Sequence, residues 1–214
     1  EVIGKMKYTD LLDPVEWEEK LKTLPQYLEN GQVKNMEYRL RKKSGEWLPV
    51  LLSSKAVFDQ NGNLIQSLAT VSDISERKKL IEDLYEHAPV GYHSTNTKSI
   101  ITEINQTELD WLGYSREEVI GKMTPFDLMD EDSKAVAKNY ATLFYQKGDI
   151  REVRLNFKKK SGETLPVVIS GNAVYDSNGN YLGARSVVMD YSEQKQIRDD
   201  LYENAPVGYH SLNS

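Results

Sequence analysis

The sequence predicts an α+β fold repeated in tandem, on three observations: the chain matches itself at a fixed offset, its strands alternate strictly and are joined by tight-turn pairs, and short capped helices precede them. Sliding the 214 residues against themselves overlays Glu1–Thr97 on Glu118–Ser214 without a gap, with roughly 42 of 97 aligned positions identical. EVIGKM recurs at Glu1 and Glu118, KKSGE at Lys42 and Lys159, LPV at Leu48 and Leu165, and NGN at Asn61 and Asn178. DLYE recurs at Asp83 and Asp200, and APVGYHS at Ala88 and Ala205. A period of this length exceeds a solenoid repeat and suits a small domain with its own core. The expected division is 1–85 as the C-terminal part of a first unit with its exit helix, 86–203 as a complete unit with its exit helix, and 204–214 as the start of a third. The chain is therefore expected to be a piece of a longer polypeptide.

Within the complete unit, Val90–Ser94 and Ile100–Ile104 are short strand-like runs separated by polar turn residues, and read as a hairpin. Asn105 is placed to cap a helix that carries Leu109 and Leu112 on one face and closes at Gly113. Ser115 with Glu118 has capping-box spacing for a second short helix. Asp130 or Asp132 starts a longer helix, whose Val136, Tyr140, Leu143 and Phe144 form the predicted inward stripe and which ends at Gly148. In the first unit, Asp13 followed by Pro14 gives the same start for a helix over 14–30, with a break at Pro25.

Alternation then takes over: Val153, Leu155 and Phe157 point one way and Arg154, Asn156 and Lys158 the other, as Met36, Tyr38 and Leu40 do in the first unit. Ser161-Gly162 and Asn178-Gly179 supply the positive φ angles of tight hairpins, so three long antiparallel strands follow one another. The last strand runs into Asp73-Ile-Ser75 and Asp190-Tyr-Ser192, each with Glu three residues after the Asp, a capping-box spacing where a helix should begin. Leu80 and Leu84, matched by Ile197 and Leu201, recur at three-four spacing along these exit helices, a narrow seam suited to pairing with a second copy.

Composition narrows the function. A net charge of −6 disfavours a phosphate-neutralising surface, so nucleic acid is not an expected partner. No apolar run approaches the roughly 20 residues that span a bilayer, and no signal sequence is apparent, so the expected location is cytoplasmic, without membrane contact by this segment. The absence of Cys removes thiolate metal sites and cysteinyl adducts. No carboxylate pair, nucleophile–base arrangement or glycine-rich nucleotide motif stands out, so this segment is expected not to be an enzyme. His87, in a helical E-H-A-P context, superficially suggests a phosphoacceptor, but its counterpart in the other unit is Asn204.

The run from Asn105 to Lys122, the KKSGE and NGN hairpins and the DIS and DYS exits resemble the PAS family with its PAC portion, across essentially the whole chain. APVGYHS followed by that run is similar to PAS units of bacterial multi-sensor histidine kinases. The resemblance implies a five-stranded antiparallel sheet cupping a pocket against short helices, tandem units joined by helical linkers, homodimerisation through those linkers and an effector domain in the same polypeptide. It implies no particular ligand, because one scaffold serves haem, flavin, small metabolites or none. Pocket candidates are Trp111, Phe126, Tyr140 and Phe144, with Ser170 and Asn172 as polar anchors; all of them also suit plain core packing. Asp73, Ser75, Asp190 and Ser192 are the signal-transfer candidates.

No cofactor is the leading expectation, with a small-molecule ligand as an open partner. A cysteinyl-flavin sensor is excluded by the lack of Cys. The alternative to a non-catalytic sensory or relay module is a photo- or redox sensor holding non-covalent flavin beside Trp111, or haem on His93 and His210. The long-helix windows 14–30 and 132–147 contain no His, and a hydrogen-bonded structural role is the preferred reading of His93.

Overall fold

A computed structural model describes residues 29–203, together with Lys5, 8–14 and Glu18. The strand expected at Val207–Ser211, with His210 and Asn204, lies outside the described residues, as does most of the helix expected over 14–30, including Pro25. The chain divides between Glu82 and Asp83 into two compact units.

In the first unit a 3₁₀ turn at Tyr8–Leu11 precedes β1 (Gln32–Arg41), β2 (Trp47–Phe58) and β3 (Leu64–Asp73), which form an antiparallel sheet in the order β1-β2-β3. Val50, Leu52 and Ala56 of β2 are buried with Leu12 and Ile74. β3 leads into helix α1 (Ser75–Glu86).

The second unit holds the complete sheet. β4 (Gly91–Asn96) and β5 (Ile101–Ile104) are followed by α2 (Gln106–Leu112), α3 (Arg116–Val119), a 3₁₀ turn at Pro125–Leu128 and α4 (Glu131–Lys147). Then come β6 (Asp149–Lys158), β7 (Thr164–Tyr175), β8 (Tyr181–Asp190) and α5 (Ser192–Glu203). The sheet is antiparallel in the order β5-β4-β8-β7-β6, so the first hairpin lies beside the last strand. This is the expected five-stranded α+β fold.

Local chemistry accounts for these elements. Asn105 accepts the Glu108 N–H and Gly113 closes α2 with φ +74°. The Ser115/Glu118 capping box starts α3, and Asp130, not Asp132, caps α4 by accepting the Ser133 N–H at 2.8 Å. Val153, Leu155 and Phe157 are buried as alternation requires, with Leu165, Val167 and Ile169 opposite them. Two members of the predicted stripe on α4, Tyr140 and Phe144, reach the space over the sheet, while Val136 is 39% exposed and Ser133, Ala137 and Ala141 complete the inward face. Small side chains let the helix lie over the sheet without filling the space beneath it, and that space becomes a cavity.

A bulge repeats in both units. Glu152 adopts φ +50° where β6 shifts register between Ile150 and Val153, and Asn35 adopts φ +54° at the matching shift in β1. The Ser170 hydroxyl accepts the Glu152 N–H at 3.0 Å, as Ser53 does for Asn35. The bulge turns both Ile150 and Val153 to the inner face.

Candidate functional site

Between α4, the Pro125–Leu128 turn and the sheet lies a cavity of about 140 Å³. Its apolar wall includes Phe126, Met129, Phe144, Ile150, Leu155 and Ile169. Its polar side is made by β4 and β8, which pair so that His93 stands directly across from Ser186, with Thr95 opposite Ala184. Tyr145 and Tyr181, in edge-to-face contact at 6.2 Å, line it where α4 ends and β8 begins.

Three sequence candidates meet here: Phe126, Tyr140 and Phe144 all line the cavity. The other three do not. Trp111 packs half-buried against the core cluster. Ser170 and Asn172 lie on the opposite face of β7, because Ile169 and Gly171 face inward and strand residues alternate. Ser170 is committed to the bulge and Asn172 is exposed.

Sequence reasoning missed the partner of His93. His93 is 2% exposed and its Nδ1 lies 2.9 and 3.1 Å from the two carboxylate oxygens of Glu108, itself fully buried on α2. The carboxylate orients the ring with Nδ1–H towards α2, which leaves Nε2 for the cavity. Gly91 makes room for the carboxylate: a Cβ there would approach Glu108 Cβ and Cγ at 3.0 Å. A signal was present, since Glu108 precedes Leu112 by four residues and so shares its inward face.

Residues preceding Glu108 on the same turn hold the end of α1. The Asn105 side-chain amide donates to the Tyr85 and Val90 carbonyls at 2.9 Å. The Glu86 carboxylate accepts the Gln106 N–H at 2.7 Å and pairs with Arg116 at 2.7 Å. The Thr107 hydroxyl donates to the Ala88 carbonyl at 2.8 Å. Tyr85 stacks on Tyr92 with ring centroids 5.9 Å apart. These bonds place the last turn of α1 in the second unit.

The Tyr85 hydroxyl is buried without a hydrogen-bond partner among the described residues. Burial, reinforced by the Glu103 and Glu86 charges, pushes its pKa up to about 12. Because the folded value exceeds the ordinary value of 10, this contribution to stability is complete below pH 10 and is lost as pH rises towards about 12. Alkaline unfolding curves should therefore fall more steeply over this window for the native chain than for Tyr85→Phe; parallel curves would contradict the assignment.

At the exits, Asp73 accepts the Ser75 N–H and Asp190 the Ser192 N–H, each at 2.8 Å, and the Ser192 hydroxyl donates to Asp190 at 2.6 Å. Each Asp thus closes a turn onto the residue two positions on, where capping-box spacing had suggested a reciprocal bond with the Glu. Bonds from the Ser75 hydroxyl and N–H hold Asp73 below the usual carboxylate range. The residue after each Asp is tied to the sheet, Ile74 N–H to the Pro49 carbonyl and Tyr191 N–H to the Pro166 carbonyl, which gives the repeated LPV its role. Leu80, Leu84, Ile197 and Leu201 are 54–68% exposed.

The family models for "PAS domain" and "PAS fold" match residues 89–193 and 1–71 respectively. The chain belongs to the PAS family. Its PAS units are sensory modules of a non-catalytic kind. The chain is 26% identical over 200 residues to the uncharacterized protein y4lL of Sinorhizobium fredii, an alignment covering 86% of this chain and 23% of the length of that protein. Among solved structures it is similar to an RNA-binding light-oxygen-voltage receptor, at 10% identity and TM-score 0.51, covering 94% of this chain and 91% of that one. It is also similar to a PAS domain from Colwellia psychrerythraea, at 17% identity and TM-score 0.48, covering 55% and 98%.

The size of the second PAS cavity bears on cofactors. About 140 Å³ is close to an engineered cavity that accepts benzene. Trp111 does not face the cavity of the second unit. Among the described residues no group of three or more metal-ligating side chains occurs, and no helix is long and apolar enough to cross a membrane.

Proposed function

We propose that the chain is a non-catalytic sensory and relay module of a signal-transduction protein, of the sensor-kinase type that its motifs resemble. In this reading, occupancy of the cavity in the second unit is passed to the helices at both ends of that unit. The observation that carries it is the position of α2, whose Glu108 holds the cavity residue His93 while Asn105, Gln106 and Thr107 hold the last turn of α1. A ligand that moves the imidazole must move Glu108, and with it the turn that clasps α1. The second output is the sheet-to-helix exit at Asp190, whose partner strand β7 contributes Ile169 and Gly171 to the cavity. The exposed seams of α1 and α5 support pairing with a second copy, and the effector belongs to the remainder of the same polypeptide.

Hydrogen–deuterium exchange tests the relay. Glu108→Gln, which weakens the hold on His93 while keeping the side-chain shape, should raise amide exchange over residues 83–88 several-fold. Arg116→Ala, which releases Glu86 without touching the cavity, should produce the same rise. Unchanged exchange at 83–88 in Glu108→Gln would end this reading.

A further inference from the structure

The rung His93–Ser186–Gly171–Ile150 crosses β4, β8, β7 and β6 in register, and all four residues face the cavity. From the chemistry of this rung we infer that the cavity binds an uncharged, single-ring molecule bearing one hydroxyl group, seated with that hydroxyl between His93 Nε2 and Ser186 Oγ. The inference rests on the sensory reading above and specifies its ligand.

Four observations lead there. The volume of about 140 Å³ admits one ring. No Lys, Arg, Asp or Glu lines the cavity, so a charged ligand would be desolvated without a compensating partner. At the rung, neither His93 Nε2 nor Ser186 Oγ makes a hydrogen bond among the described residues. With Nδ1–H committed to Glu108, a neutral His93 presents an acceptor lone pair at Nε2, and Ser186 can donate; a hydroxyl both donates and accepts, and so satisfies the two together. Gly171 leaves the approach open, since a Cβ there would stand 3.3 Å from Ser186 Oγ and 3.7 Å from Ile150 Cγ1. The arrangement is particular to the second unit, where Ser186 and Gly171 replace the Ala69 and Ser54 of the repeat.

The probes are phenol, benzene and benzoate, titrated against the full chain while the His93 ring resonances and the thermal midpoint are followed. Phenol should bind saturably with shifts at His93, benzene about tenfold more weakly, and benzoate not at all. Ser186→Ala, a mild change, should weaken phenol about tenfold and leave benzene unchanged, while Gly171→Val should abolish both. Benzene binding as tightly as phenol, benzoate binding as tightly as phenol, or no saturable binding of phenol would each overturn the assignment. Phenol bound at His93 without altered exchange over 83–88 would overturn the relay and leave the ligand assignment standing.

Discussion

Replacing Glu108 with alanine should destabilise the second PAS unit by about 3–4 kcal/mol, because it leaves the buried Nδ1–H of His93 without its carboxylate acceptor and opens a cavity where the side chain stood. Both side chains are 1% exposed and lie 2.9 Å apart, so solvent screens neither. The truncation strands the imidazole at the edge of an apolar core and opens a hole beside Gly91. Two further variants separate charge from shape. Glu108→Gln keeps an acceptor for Nδ1–H and should cost only about 1 kcal/mol, because a neutral hydrogen bond replaces a charge-assisted one. The double replacement His93→Leu with Glu108→Leu should recover most of the loss, since replacing both partners of a buried hydrogen bond by apolar groups of similar shape can be nearly neutral. Urea unfolding followed at Trp111, with Trp17 and Trp47 changed to Phe, isolates the second unit. A cost below about 1 kcal/mol for Glu108→Ala would mean that the pair is not buried as described.

Whatever follows from one segment's own period was readable from the sequence, and whatever depends on two segments meeting was not. Asn105, Ser115 and Asp130 cap helices through bonds spanning three residues, and Val153, Leu155 and Phe157 alternate within one strand, so each follows from local spacing. His93 and Glu108 are fifteen residues apart and meet only because α2 folds back over β4. Choosing Ser170 and Asn172 as pocket anchors followed their polarity, although the buried series Leu165, Val167 and Ile169 already points to Gly171. A glycine offers no chemistry to notice, yet it is the absence of its side chain that leaves the cavity open there. The stripe on α4 was read in part: Tyr140 and Phe144 do line the cavity, while Ala137 and Ala141, small residues that leave room beneath the helix, take the place expected of Val136.

Gly183→Ala should cost the second unit about 3 kcal/mol or more, because two penalties coincide at one residue. Gly183 has φ +145°, a conformation that L residues rarely adopt, and it lies in β8 opposite Asn96. A Cβ built there would overlap the Thr95 carbonyl oxygen and stand 2.9 Å from its carbon, so backbone rather than a flexible side chain would have to give way. What moves is the junction of β4 and β8, the seam that closes the five-stranded sheet and sets His93 across from Ser186. Gly179→Ala is the control: its φ of +82° is also positive, but nothing lies within 4 Å of the added Cβ, so only the conformational cost of about 1–2 kcal/mol applies. The repeat supplies a second comparison. Its counterpart to Gly183 is Gln66 in β3, a strand with no partner on that edge among the described residues, so the carbonyl that excludes a side chain at Gly183 has no equivalent there. Thermal unfolding should therefore rank Gly183→Ala well below Gly179→Ala, with phenol binding lost in the former and kept in the latter. Equal midpoints for the two variants would show that φ alone, and not the closure of β4 on β8, requires the glycine.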